Sequence, residues 1–480
     1  MTMPARSLLH LTLLSLALAG GCSVGPAYRR PDIALGGGFA TAPAPARADA
    51  AAPTFERWWL GFDDPMLATV VERAAKDNLD IAQARARVLA SRAQARAAGA
   101  ALLPSGALTA QAEEVRQSLD SPIGTIGRHL PGFTRDNALY DLGGVASWDL
   151  DPFGGLRRGR EAAEAGARAD AAEAQAVRLA VIADAADAYL LVRAYQARLE
   201  VATRREAVES DLVDLLRRQA SQGVAPEREL RQTQAALEGV RATIPPLRTG
   251  LEDELNRLDV LMGAQAGTWR ETLSKPAPLP VPPALRPGDG PADLLRRRPD
   301  ILAAEQRLVG ANARIGQAIA EYYPKVSISG LLGVESLDSS RLFLGEAEQA
   351  MAGGALRWRL FDFGRVDAEV AQARAEDAGA LAAWRATALR ATEEVDDAIT
   401  DLTQQQARAV ALDRQIAQLT IARRQAQQAY EGGAISLVEV READRDLLTA
   451  ADQLAQARAG AAMAAVAAYH ALGGGWTPAA

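Results

Sequence analysis

The chain has 480 residues and a formal net charge of −7, from 53 lysine and arginine residues and 60 aspartate and glutamate residues. A length of this kind usually corresponds to about two to four globular domains, and the acidic balance excludes an obvious nucleic-acid-binding surface. With three histidines and a single cysteine, a Cys/His metal cluster and an internal disulfide framework are also excluded.

The N-terminus has the layout of a secretory leader. Arg6 precedes a short apolar run, Leu8 to Leu18, and AGGC follows at 19–22. The run is too short to cross a bilayer. The arrangement resembles a bacterial lipoprotein signal, in which residues 1–21 are removed and Cys22 is lipidated, although Ala19 stands where leucine is usual. Ser23, rather than aspartate, after the cysteine favours delivery to the outer membrane. A plain secretory signal with an incidental cysteine is the alternative.

The rest of the chain reads as two copies of one unit. Two sets of residues recur in the sequence, each at its own fixed spacing. Trp148, Phe153 and Gly154 recur 210 positions later as Trp358, Phe363 and Gly364, while Asp80, Ile81 and Pro104 recur 220 positions later as Asp300, Ile301 and Pro324. The first copy therefore carries ten extra residues, most simply in the loop around 119–136.

Each copy is predicted to contain a helix, two strands, a very long helix, a tight turn and a returning helix. In the first copy the helices are predicted at 67–100, 155–222 and 225–262, and the strands at 105–118 and 138–150. In the second copy the helices are predicted at 292–321, 364–431 and 436–472, and the strands at 325–336 and 351–361. The domains follow as a 22–62 tail predicted to lie along the surface, a first repeat at 63–262, a proline-rich linker at 263–291, a second repeat at 292–473 and a 474–480 tail.

The long helices carry a coiled-coil seam. Each would span ~100 Å at 1.5 Å per residue. Apolar residues in the first one step by four and three positions, as a heptad pattern requires; they are Val181, Ala185, Ala188, Val192, Tyr195 and Leu199. Taken alone, the helices favour an ordinary soluble coiled coil.

The strands point to a membrane instead. Apolar and polar residues alternate, so that Val326, Ile328, Leu332 and Val334 share one face and Lys325, Ser327, Ser329 and Glu335 the other. Trp148 and Trp358 stand at equivalent strand ends. This pattern fits a membrane β-barrel with a wet lumen and an aromatic girdle, whereas a sheet half-buried on a soluble core is the alternative. Because four strands cannot close a barrel, several protomers are required, and three would supply twelve strands.

Four segments resemble one known family. They are CSVGPAYRRP at 22–31, LLRRRPDILAAEQRLVGANARIGQAIAEYYPKVSISG at 294–330, LRWRLFDFGR at 356–365 and YEGGAISLVEVREADRDLL at 430–448. Together they resemble the TolC-like outer-membrane efflux factors, in particular the NodT- and OprM-like lipoproteins.

The resemblance implies a mainly α fold with a membrane β part, in which a homotrimer builds a twelve-stranded barrel and a periplasmic helical tunnel. It also implies a periplasmic adaptor, an inner-membrane pump of the resistance-nodulation-division type, drugs and other toxic small molecules as cargo, and no cofactor. Protein secretion through a type I duct and a soluble periplasmic scaffold are the alternative functions.

Site residues follow from the resemblance and from the turns. Cys22 is the predicted lipid anchor, and Trp148 and Trp358 are predicted interface anchors, with simple core burial as the alternative for both tryptophans. The predicted adaptor contacts are the tip residues Gly223, Val224, Ala225, Gly433, Ala434, Ile435 and Ser436, and Ser436 is also predicted to cap the returning helix. The gate candidates are Asp413, Arg414, Leu419, Arg423 and Arg424, with solvated exterior charges as the alternative. No catalytic motif is found: the sequence has no nucleophile set and no phosphate-binding loop.

Overall fold

The computed structural model describes residues 23–41, 55–285 and 290–477. These residues form two compact units. One unit combines residues 23–31, 89–169 and 305–382, and the other combines the described residues of 32–88, 170–304 and 383–477. Each unit thus takes segments from both copies of the repeat, although the copies follow one another along the chain.

The first copy follows the predicted element order with two differences: its first helix is divided in two, and an additional short helix lies in the loop between its strands. It begins after a 3₁₀ helix at Phe55–Phe62 and consists of α1 (Pro65–Asp77), α2 (Leu79–Ala100), β1 (Ser105–Arg116), α3 (Pro122–Gly127), β2 (Asp136–Asp149), α4 (Gly155–Ser221) and α5 (Glu227–Leu261). A short helix α6 (Arg270–Leu273) leads into the proline-rich segment.

The second copy repeats this order without a helix equivalent to α3. It consists of α7 (Pro291–Arg297), α8 (Pro299–Ala320), β3 (Lys325–Ser336), β4 (Glu348–Arg357), α9 (Arg365–Glu431) and α10 (Leu437–Ala471), with 3₁₀ turns at Ser339–Arg341 and Gly345–Ala347 between its strands. Among the described residues, no helix is both long enough and apolar enough to cross a membrane.

The prediction of one helix at 67–100 and one at 292–321 is wrong, because both are broken at equivalent positions. Asn78 has an extended backbone, and its side-chain oxygen accepts hydrogen bonds from the amides of Asp80 and Ile81. Asn78 therefore caps a new helix. In the second copy the break falls at Arg298, where Pro299 disfavours a helical conformation of the preceding residue.

The four strands form one antiparallel sheet in the order β1-β2-β3-β4, all within the first unit. The predicted bounds of β3 agree with the structure, whereas β1 ends at Arg116 rather than 118, and β2 extends from Asp136 to Asp149 rather than from 138 to 150. The largest difference concerns β4, which was predicted at 351–361 but extends from Glu348 to Arg357. Trp358 thus lies just beyond the strand.

The prediction that the whole 22–62 tail lies on the surface is wrong for its last residues. Trp58, Trp59 and Phe62 are buried in the second unit, where the ring of Trp58 stacks on Tyr469 with centroids 5.5 Å apart. Next to them, the carboxylate of Asp64 accepts a 2.7 Å hydrogen bond from the Tyr189 hydroxyl. Aromatic burial therefore fastens residues 55–62 to the helices that follow them.

The predicted seam on the first long helix is buried for most of its length. Val181, Ala185, Ala188 and Val192 are at most 5% exposed. Tyr195 and Leu199 are half-buried and pack against a small cluster of Ala202, Ile244 and Leu247. The burial of this stripe agrees with the predicted heptad pattern.

The proline-rich segment that follows α6 has no regular secondary structure up to residue 285 and is tied to the helices by its carbonyl groups. Arg193 donates to the carbonyl of Lys275 over 2.7 Å, and the Gln196 amide donates to the carbonyls of Leu273 and Ser274. Two side chains of α4 thus supply donors to carbonyl groups at the end of α6 and at the start of the segment that follows it.

Candidate functional site

The two tight turns between long and returning helices have the same backbone geometry. Gly223 and Gly433 adopt left-handed φ angles of 73° and 72°. The amide of Val224 donates to the carbonyl of Gln219, and the amide of Ala434 to the carbonyl of Ala429. These are the hydrogen bonds of a glycine-terminated helix end, which satisfies the last carbonyl groups of each long helix.

The two returning helices start differently. The Ser436 side chain accepts from the amide of Glu439 and the Glu439 carboxylate accepts from the amide of Ser436, which forms a capping box and confirms the predicted cap. The first returning helix begins after Pro226, which provides no side-chain cap. Val224 at this turn is largely exposed and Ile435 at the other is half-buried.

An apolar cluster supports the first turn from inside the hairpin. Its buried members are Leu212, Val213, Leu216, Leu230 and Leu237. Val438, at the start of α10, packs against the same cluster. Burial on this scale holds the helix ends rigidly, so the exposed turn residues are presented at fixed positions.

Among the gate candidates, Arg423 has the most defined contact. Its Nε lies 2.9 Å from Oδ1 of Asp444, which is buried on α10. Arg441 also contacts Asp444, at 3.3 Å, and lies 3.8 Å from Asp211 on α4. The result is a chain of alternating charges that connects three helices near the two turns.

The other gate candidates are less constrained. Asp413 pairs with Arg458 over 2.8 Å, and both side chains are about half exposed. Arg414 and Arg424 are exposed, and Leu419 is half-buried. The prediction missed Asp444, although a signal was available: Asp444 follows the buried Val440 by four positions and therefore lies on the same helix face.

The two predicted interface tryptophans make equivalent hydrogen bonds. Trp148 Nε1 donates to the carbonyl of Leu102 and Trp358 Nε1 to that of Tyr322, both over 2.9 Å. Their residues are 40% and 53% exposed, so neither is buried in the protomer core. Each indole is thus fixed at its polar end and open along its apolar rings.

Two aspartates start the long helices, and both were missed by the sequence analysis. The Asp151 carboxylate accepts from the amides of Leu156 and Arg157, and the Asp362 carboxylate accepts from the amides of Gly364 and Val366. Each therefore satisfies free amides at a helix N-terminus and complements its dipole. The signal was an aspartate shortly before a long helical pattern.

The predicted lipid anchor, Cys22, lies outside the described residues, but Val24, close behind it, forms hydrogen bonds within the first unit. The Val24 amide donates to the carbonyl of Phe153 over 3.2 Å, and the carbonyl of Val24 accepts from Arg158. The start of the described chain is therefore fastened at the point where β2 gives way to α4. In the described residues, no group of His, Cys, Asp and Glu could hold a metal ion.

The outer membrane efflux protein family model matches residues 70–264 and again 290–474. The pyoverdine export outer membrane protein OpmQ of Pseudomonas putida is 30% identical, over 99% of this chain and 98% of the relative. Nodulation protein T of Rhizobium leguminosarum bv. trifolii is 29% identical, over 92% and 91% of the two chains.

Solved structures of outer-membrane channels share the fold of this chain. The outer-membrane channel OprN is 33% identical, with a TM-score of 0.82 over 95% of this chain and 100% of that one. The CmeC channel of Campylobacter jejuni shares the fold at 22% identity, with a TM-score of 0.84 and 96% of each chain covered. These matches confirm the predicted fold, and the chain belongs to the outer membrane efflux protein family, as an outer-membrane channel component of an efflux pump.

Proposed function

We propose that three copies of the chain assemble into one passive exit duct, through which small molecules leave the periplasm and cross the outer membrane. The observation that carries this proposal is the four-stranded sheet with unpaired edges at β1 and β4. Open edges leave backbone groups without partners, which is not tolerated in a lipid environment. Three sheets joined edge to edge would form one closed sheet of twelve strands and remove every edge.

The faces of the sheet support a membrane position. Even-numbered residues pair with even-numbered residues across all three strand pairs, so they share one face. That face carries Leu142, Trp148, Ile328, Leu332 and Leu356. The opposite face carries charged residues such as Asp141, Glu335 and Arg357. An apolar outside and a polar inside suit a membrane pore, with Trp148 and Trp358 at the lipid–water interface.

The exposed helical turns are proposed to contact a periplasmic adaptor. Seven residues form this surface: Gly223, Val224, Ala225, Gly433, Ala434, Ile435 and Ser436. The rigid apolar cluster beneath the first turn and the capping box at the second support this role, because fixed positions reduce the entropic cost of binding. A photo-crosslinking amino acid at Val224 should capture the adaptor, whereas the same probe at Val260, an equally exposed valine, should not.

The remaining partner is an inner-membrane pump of the resistance-nodulation-division type, which would select the cargo. Relatives are named for pyoverdine export and for toluene efflux, which are chemically unlike. We therefore expect cargo to be chosen by the pump, and the duct to accept drugs and other toxic small molecules without any cofactor or catalytic step.

We further propose that the charge chain of Arg423, Asp444, Arg441 and Asp211 holds the duct closed near its periplasmic end. These contacts join α9, α10 and α4 within one protomer. Separation of the helices would break them and leave the buried carboxylate of Asp444 without its arginine partners. Such a loss is costly, which favours the closed arrangement until the adaptor compensates.

Fractionation of cells tests the proposed duct. Wild-type protein should sediment with the outer membrane, and in mild detergent its mass should equal that of three protomers. Recovery in the soluble periplasmic fraction as a monomer would contradict the proposal and favour a soluble scaffold. A deletion strain that exports toxic small molecules normally but fails to secrete one protein would favour the type I secretion duct instead.

A further inference from the structure

The two copies use the same strand register. In the first copy Ser105 of β1 lies opposite Ser147 of β2. Adding 220 to the β1 number and 210 to the β2 number gives Lys325 and Arg357, and these residues lie opposite each other in β3 and β4. The internal duplication therefore extends from the sequence to the backbone hydrogen-bond register.

The joint between the copies, β2 against β3, has features of its own. Trp148 lies opposite Ile328, and beyond the strand pair the Leu150 amide donates to the carbonyl of Val326 over 2.9 Å. Further along, the ring of Phe153 stacks on the ring of Tyr323 with centroids 4.5 Å apart. The end of the first copy thus packs closely on the start of the second.

The equivalent end of the second copy is open. Phe363, the counterpart of Phe153, is fully exposed, and Leu103, the counterpart of Tyr323, is 65% exposed. Strand β4 ends at Arg357, whereas the counterpart of the last β2 residue, Asp149, is Arg359. A strand loses its last residues when no partner supplies hydrogen bonds, so β4 has the form of an edge that lacks its neighbour.

We infer that β4 of one protomer pairs with β1 of the next in the register of the joint between the copies. Applying the same offsets to the β2–β3 pairs places Trp358 opposite the partner's Leu108, Leu356 opposite the partner's Ala110 and Ala355 opposite the partner's Gln111. The side chain of Phe363 then packs on the partner's Leu103. The inference rests on the proposed trimer and specifies how its protomers join.

The inferred register also keeps each face of the sheet continuous. A shift by one residue would move every apolar side chain of one strand to the polar face. In the inferred register even-numbered residues again meet even-numbered ones, as they do in the three observed strand pairs. Charges also fit: Arg357 lies opposite the partner's Thr109 and Gly353 opposite the partner's Glu113, so like charges do not oppose each other.

The backbone of Phe363 supports a contact at this position. Its φ angle is 54°, in the left-handed region, which is unfavourable for a bulky side chain. The apolar ring is at the same time wholly in solvent in the single protomer. Burial of the ring against the partner's Leu103 offsets the backbone strain through the hydrophobic effect.

Disulfide cross-linking of full-length protein in outer-membrane vesicles tests the register. Directly opposed residues have Cα atoms about 4.5–5.5 Å apart, within disulfide range, whereas diagonal neighbours two positions away are about 7–8 Å apart. The variant Gln111→Cys/Ala355→Cys should give dimer and trimer bands on a non-reducing gel, and reductant should remove them. The shifted variants Gln111→Cys/Gly353→Cys and Gln111→Cys/Arg357→Cys should remain monomeric under the same oxidant.

Single-cysteine variants control for reactions with the native Cys22. If a shifted variant cross-links and Gln111→Cys/Ala355→Cys does not, the inferred register is wrong. The mass of the wild-type protein in detergent distinguishes a wrong register from a wrong proposal of the trimeric duct. A trimer without cross-links in Gln111→Cys/Ala355→Cys overturns the register alone, whereas a monomer overturns the proposed duct as well.

A second variant tests the Phe363 contact. Phe363→Ala should lower the temperature at which the trimer dissociates in detergent. Phe361→Ala removes an exposed ring that has no partner in the inferred interface, so it should leave that temperature unchanged. An equal loss in both variants, or no loss in Phe363→Ala, would contradict the contact.

Discussion

The Arg298 guanidinium lies 2.6 Å from the Glu394 carboxylate, and the same nitrogen donates to the carbonyl of Ala471 over 3.0 Å. Arg298 occupies the break between α7 and α8, and its side chain is only 8% exposed. A single side chain thus joins the start of the second copy to the long helix α9 and to the end of α10.

Replacement of Arg298 should destabilise the second unit. Arg298→Met keeps most of the side-chain volume but leaves the Ala471 carbonyl and one face of Glu394 without a donor. Loss of one partner of a buried ion pair costs about 3–5 kcal/mol, and the half-exposed Glu394 reduces this to about 2–3 kcal/mol. Thermal unfolding followed by circular dichroism in detergent measures the loss. Arg296→Met, at an exposed arginine two residues earlier, should change the midpoint little.

The N-terminal segment should detach when Gly316 gains a side chain. A Cβ at this position would lie 2.8 Å from the Val24 carbonyl oxygen and 2.9 Å from Cγ of Arg158. Because the Val24 contact is with backbone, the segment must move. Trypsin should therefore cleave after Arg29 faster in Gly316→Ala than in the wild type. Gly379→Ala, where the added carbon meets open space, should leave the rate unchanged, and equal rates in all three proteins would refute the docking.

Stability should fall as the pH rises from about 4 to about 7, through Asp187. Burial raises the pKa of Asp187 to about 7 from its ordinary value of 3.8, and the neighbouring Asp184 adds to the effect. Its Oδ1 is buried without a hydrogen-bond partner among the described residues. In this pH window the folded chain keeps a proton that the unfolded chain releases, so the contribution is complete below pH 4 and lost above pH 7.

Asp187→Asn removes this dependence. The variant should be more stable than the wild type at pH 8, by about 1–2 kcal/mol, and similar to it at pH 4.5. Unfolding midpoints at the two pH values provide the measurement. Asp214→Asn serves as the control, since Asp214 lies on the same helix, is about half exposed and pairs with Arg217. An unchanged pH profile in Asp187→Asn would contradict the assignment.

Neutralisation of Asp444 should open the proposed gate. Asp444→Asn keeps the shape of the side chain but removes the charge that Arg423 and Arg441 contact. Single-channel conductance in planar bilayers should rise severalfold because the helix ends are less tightly held. Asp413→Asn breaks an exposed pair with Arg458 and should leave the conductance near the wild-type value. Equal conductance in wild type and Asp444→Asn would exclude this charge chain as the gate.

Lipidation should depend on Cys22 alone, since it is the only cysteine in the chain. Cells that express Cys22→Ala and are fed radioactive palmitate should give unlabelled protein, while the wild type should be labelled. Ser23→Ala provides the matched control and should retain the label. Labelling of Cys22→Ala would rule out the predicted anchor.

The sequence predicts the duplicated architecture well, because the signals repeat in both copies. The alternation in 325–336 identifies β3, and glycines at 223 and 433 identify the turns, since only glycine adopts their left-handed backbone readily. Both helix breaks also have a signal in the sequence. Asn78 is a residue type that caps helices, and Pro299 restricts the backbone conformation of Arg298. The prediction missed these signals because the helical pattern continues on both sides of each break.

Other features depend on tertiary structure. The pairing of Arg423 with Asp444 requires a particular rotation of α9 against α10, which a single helix pattern does not define. Burial of Trp58 depends on its stacking against Tyr469, more than 400 positions away in the chain. Strand β4 ends at Arg357 although the alternating pattern continues to Leu360, so the pattern alone does not define the end of the strand.

Accumulation of a fluorescent pump substrate by living cells tests the central claim most directly. A deletion strain should accumulate the dye to a higher level than its parent, and expression of the wild-type chain should restore low accumulation. If accumulation is the same in the deletion strain, the parent and the complemented strain for every dye, antibiotic and solvent tested, the chain is not the exit duct of an efflux pump.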